Sequence, residues 1–117
     1  MLTAIIDYES GNLHSAEKAF QRMALEETAG SVVVPTATDT IADADRIVLP
    51  GDGAFPACAA ALRASGAFEA MVDAVEVKAR PFLGICVGMQ LMAQQGLEYV
   101  PTDGLGWVDG VVDIISP

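Results

Sequence analysis

The chain has 117 residues, 52% of them apolar, with six basic against sixteen acidic side chains and a formal charge of −10. That length fits one domain with its own core, and the apolar content excludes a disordered chain. The acidic balance argues against nucleic acid and anionic membrane surfaces as partners, and no apolar run is long enough for a spanning helix. No basic n-region or cleavage site follows Met1, so no secretory leader is expected. Two cysteines without signs of secretion predict free thiols in the reducing cytoplasm, with Cys58 and Cys86 unpaired.

Ala4-Ile5-Ile6 is a short apolar run ending at Asp7, the pattern of a buried parallel strand. Tyr8-Glu9-Ser10-Gly11-Asn12 reads as a polar turn, with Asn12 placed to cap a helix whose apolar face is Leu13, Ala16, Phe20 and Met23. His14, the only histidine, falls in the first turn of that helix, where a solvated side chain is the ordinary outcome. Nothing near it supplies a second metal ligand at usable spacing, and no metal or cofactor is expected. Ser31–Val34 predicts a second strand closed by Pro35, Thr38–Ala42 a short helix, and Arg46–Leu49 a third strand. That strand runs into a glycine-rich turn, Pro50-Gly51-Asp52-Gly53-Ala54-Phe55. Phe55, Cys58, Ala59 and Leu62 keep helical spacing, which places Cys58 in the core. After a break at Ser65-Gly66, Phe68, Met71, Val72 and Val75 make another helical face. Phe82–Ile85 is the next strand, followed by a helix over Val87–Gln95 that Gly96 ends. Gly104–Gly110 reads as extended and turn-rich, and Val111–Ile115 as one more strand.

Strands alternating with helices, each strand almost wholly apolar, predict an α/β fold with a doubly wound, mostly parallel sheet covered on both faces. In such sheets a site forms beyond the carboxyl ends of the strands. The turn after Asp7, the Pro50–Phe55 turn and the corner at Cys86 all fall on that edge.

The corner lies in Arg80-Pro81-Phe82-Leu83-Gly84-Ile85-Cys86-Val87-Gly88-Met89-Gln90-Leu91. Its G-x-C-x-G, between a strand and a helix, matches the G-x-S-x-G nucleophile elbow with cysteine in place of serine. The corner residue is driven toward positive φ, so its neighbours must be small. A cysteine there faces a helix N-terminus, whose partial positive charge favours the thiolate. The same residues also suit a buried cysteine in a tightly packed strand–helix joint. In acyl transfer the thiolate attacks a carbonyl, and main-chain N–H groups hold the oxyanion that develops. The Val87 N–H is one candidate donor; Gly51, Asp52 or Gly53 supplies a second, unless that stretch is only a strand-to-helix turn. The chain lacks a base for this chemistry. A helix dipole contributes roughly 0.3–1 kcal/mol, so strong activation needs a nearby histidine. None follows Cys86, and His14 would have to reach across from the first turn.

The longer motifs are more specific than the elbow. They are Ile5-Ile6-Asp7-Tyr8 with Ser10-Gly11-Asn12, Ala44–Gly51 with Gly53-Ala54-Phe55, Arg80–Gln90, and Gly104-Leu105-Gly106-Trp107. In this order and spacing the chain resembles the glutaminase subunit of imidazole glycerol phosphate synthase, among the class I (triad) glutamine amidotransferases. The resemblance implies a flavodoxin-like domain in which Cys86 attacks the side-chain amide of glutamine. Glutamate would leave by thioester hydrolysis, and ammonia would pass to a separate cyclase subunit in histidine biosynthesis. Pro50–Gly53 matches the oxyanion loop, and Gln90 a position that contacts the substrate glutamine.

This chain departs from many relatives at Glu9, where they carry glycine, and at Asp52, where they carry an apolar residue. A carboxylate beside an oxyanion is unfavourable, so the Asp52 side chain is expected to point away, with only its backbone taking part. Family members also continue well past this length and add the histidine and glutamate that complete the triad. Residues 1–117 are therefore expected to be a partial amidotransferase domain, truncated at its C-terminal side. By themselves they should have negligible glutaminase activity and uncovered apolar surface. Three alternatives remain: another class I amidotransferase subunit, a flavodoxin-like redox sensor using Cys86, and a non-catalytic remnant that docks through its acidic surface.

Overall fold

A computed structural model describes residues 2–8, 17–22, 30–34 and 38–113. Glu9–Asn12, Leu13, His14, Ala16, Met23, Pro35, Ile114 and Ile115 lie outside the described residues, and with them the expectations placed there. The elements are β1 (Leu2–Ile5), a helical stretch α1 described over 17–22, β2 (Ser31–Val33), α2 (Thr38–Asp43), β3 (Arg46–Leu49) and α3 (Phe55–Ala64). They continue with α4 (Phe68–Val72), which widens into a π turn over Asp73–Val77, then β4 (Phe82–Gly84) and α5 (Val87–Gln90). β5 (Ala93–Gly96), β6 (Thr102–Asp103) and β7 (Val108–Val112) follow. Among the described residues no helix is long and apolar enough to cross a membrane.

The first four strands form one parallel sheet in the order β2-β1-β3-β4. This is the flavodoxin-like order, whose direction of winding reverses between β1 and β3. Side chains on a strand alternate between its faces. Ala4, Ile6, Ile47 and Leu49 accordingly share one core with Phe55, Cys58, Leu62 and Met71. Ile5 and Val48, paired across the sheet, are buried on the opposite face. Leu83 continues that row on edge strand β4 and is 49% exposed. The helical spacing from Phe55 is realised: Phe55, Cys58, Ala59 and Leu62 are the buried stripe of α3. Each large apolar side chain buried this way contributes about 1.5–3 kcal/mol before entropic costs. Met71 and Ala74 are buried on the next helical face, with Phe68, Val72 and Val75 packed beside them.

The region after the corner differs from the helix expected over Val87–Gln95. The helix stops at Gln90, and Ala93–Gly96 is a strand, parallel to β7 and antiparallel to β6. A helix through Gln95 would need the Leu91 carbonyl for the Gln95 N–H, and one running further would need those of Met92 and Ala93. Those carbonyls instead accept from Leu105 (2.7 Å), Trp107 (2.8 Å), Val108 (2.9 Å) and Gly106 (3.0 Å). The segment expected to be merely extended thus bonds along Leu91–Ala93, where the chain has left the helix for the second sheet. Gly96 is not a helix terminator; it lies against the Phe55 ring, which fills the space a Cβ would need. Trp107 then meets Phe82 edge-on, 5.0 Å between centroids, fastening the second sheet beside β4.

Candidate active site

Cys86 occupies the corner between β4 and α5 with φ 55 and ψ −121, and it is exposed. Its backbone is thus in the strained region expected of an elbow residue. Exposure sets aside the reading of a buried cysteine in a packed joint. The flanking glycines are required by close approach, since neither has a positive φ. A Cβ on Gly84 would stand 2.7 Å from the Met89 Cα, and one on Gly88 would run into the Leu49 carbonyl oxygen. The corner can sit this close to β3 only with glycine there. It is tied down by Ile85 N–H donating to Leu49 O at 3.0 Å, and by Met89 and Gln90 donating to Cys86 O at 3.0 and 3.2 Å. With four residues, α5 aligns fewer peptide dipoles behind Cys86 than a nine-residue helix would.

The Pro50–Gly53 loop leaves the end of β3 directly against this corner. The position of a Cβ on Gly51 lies 2.7 Å from Gly88 N and 3.1 Å from Val87 Cβ. Gly53 has φ +113, a conformation that favours glycine. Among the described residues, Gly51, Asp52, Gly53 and Val87 donate no main-chain hydrogen bond. Unpaired amides at a strand–helix corner are suited to receive a developing negative charge. The structure therefore brings Cys86, Val87 and Gly51 together, with Gly53 farther along the same loop. Gln90 lies one helical turn after Cys86 and is half-buried. Asp52 is exposed, and its carbonyl accepts from Cys58 Sγ at 3.4 Å.

Three neighbours of the loop were not singled out as site residues from the sequence. Tyr8 is buried and donates its hydroxyl to Pro50 O at 2.5 Å. Cys58 is buried under Asp52, and burial pushes its thiol pKa up. The nearby carboxylates of Asp52 and Glu98 act in the same direction, while the Asp52 backbone and the Tyr8 side chain partly oppose them. Cys58 is therefore a protonated donor at neutral pH. Glu98 Oε1 accepts from Phe55 N–H at 3.0 Å, capping α3 where the loop enters it. The available signal for Tyr8 was its place right after a buried strand, since a buried tyrosine hydroxyl needs a partner. Nothing in the sequence named that partner. Both cysteines are free, and among the described residues no group of three or more His, Cys, Asp or Glu side chains is gathered to hold a metal.

Comparison with known proteins agrees with this geometry. The family described as glutamine amidotransferase class-I matches residues 4–103. The chain is 72% identical to the imidazole glycerol phosphate synthase subunit HisH of Ruegeria pomeroyi, over all of this chain and 56% of that protein. It is 61% identical to the protein of the same name from Cereibacter sphaeroides, again over 56% of its length, and 55% identical to that of Agrobacterium fabrum, over 55%. The chain thus spans a little over half the length of these relatives. A parallel sheet in flavodoxin-like order, a cysteine elbow at its carboxyl edge and a match over most of the chain lead to one conclusion: the chain belongs to the class-I glutamine amidotransferase family.

Proposed function

We propose that this chain is the N-terminal part of the glutaminase subunit of imidazole glycerol phosphate synthase. On this reading residues 1–117 are a partial amidotransferase domain, and the whole subunit works in the cytoplasm as a heterodimer with a cyclase. Cys86 Sγ attacks the side-chain amide carbon of glutamine, and the carbonyl oxygen becomes an oxyanion held by Val87 N–H and an amide of Gly51–Gly53. The C–N bond then breaks, and nitrogen leaves as ammonia with a proton from a general acid. Water adds to the resulting thioester, the thiolate departs, and glutamate is released. Gln90 contacts the substrate, and Asp52 takes part through its backbone with its carboxylate turned away. The histidine and glutamate of the triad belong to the stretch of the relatives that residues 1–117 do not span.

The observation that carries this reading is the exposed Cys86 at φ 55, packed against a glycine loop with unpaired amides. It is tested on the full-length subunit assembled with its cyclase. Glutamate release should follow Michaelis kinetics and fall by as much as about 10⁶-fold in Cys86→Ala. A glutamine-like electrophile should label Cys86 in competition with glutamine. Peroxide oxidation of Cys86 without such labelling would favour the redox-sensor reading instead.

A further inference from the structure

We draw no further inference here: the strongest candidate, the outer edge of β4, where Leu83 is half exposed and the buried Trp107 indole N–H meets no acceptor among the described residues, carries nothing because nothing in the structure shows what covers it.

Discussion

At the scale of residues, the site is governed by atoms that have no room to be anything else. Gly88 is the clearest case, because its missing side chain is what admits the Leu49 carbonyl. Gly88→Ala should destabilise the protein by about 1–3 kcal/mol through overpacking, measured by urea denaturation. Cys58 supports a different prediction. Its folded pKa is raised above a thiol's ordinary value of 9.0, first by burial and then by the Asp52 and Glu98 carboxylates. Below pH 9.0 both folded and unfolded chains hold the proton, so the group adds no slope there. Above it the unfolded chain releases the proton first, and stability should fall as pH rises toward the folded value. A urea series across this alkaline range should show a shallower decline in Cys58→Ala than in the unsubstituted protein. Cys86 was legible as an exposed corner residue from its glycines alone, because the steric demand of an elbow is local. Cys58 was legible only as core; that it sits under the loop and bonds to it depends on how the loop folds back.

At the scale of elements, strands and helices followed their periodicities wherever the acceptors were their own. Helix α3 is an example: its apolar residues at Phe55, Cys58, Ala59 and Leu62 predicted the buried stripe that forms. Its start, however, depends on Glu98, forty-three residues away, whose carboxylate accepts the Phe55 N–H. Glu98→Ala should cost about 0.5–2 kcal/mol, the usual range for a lost helix cap, read as a lower midpoint in thermal or urea unfolding. Helix α5 is the counterexample. Its apolar pattern continues past Gln90, yet the helix ends there, and residues 105–108 bond instead to the carbonyls of Leu91, Met92 and Ala93 beside the second sheet. Local propensity is a weak prior, and a competing strand of N–H groups outweighs it.

At the scale of the whole molecule, the parallel sheet places the ends of β1, β3 and β4 side by side, so Tyr8, Pro50 and Cys86 share one edge. That convergence makes a site from residues separated by more than forty positions. Among the described residues there is no histidine, the chain's single one being His14, so none of them supplies an imidazole base. The 117-residue segment expressed alone should therefore release no glutamate above background, with the loss approaching the ~10⁶-fold cost of a missing triad member. A coupled glutamate assay checks this, and steady Cys86-dependent turnover by the segment would contradict it.

The sequence by itself determined the α/β class, most strand and helix positions, the elbow and the glycine loop. These are written in short-range periodicity and in the small residues that tight corners demand. The tertiary structure alone decided where the elbow helix stops and which side chains hold the loop. Tyr8 meets Pro50 across forty-two residues of sequence, and Glu98 caps Phe55 across forty-three. Such pairings follow from strand order and from competition among hydrogen-bond acceptors, neither of which a local pattern contains.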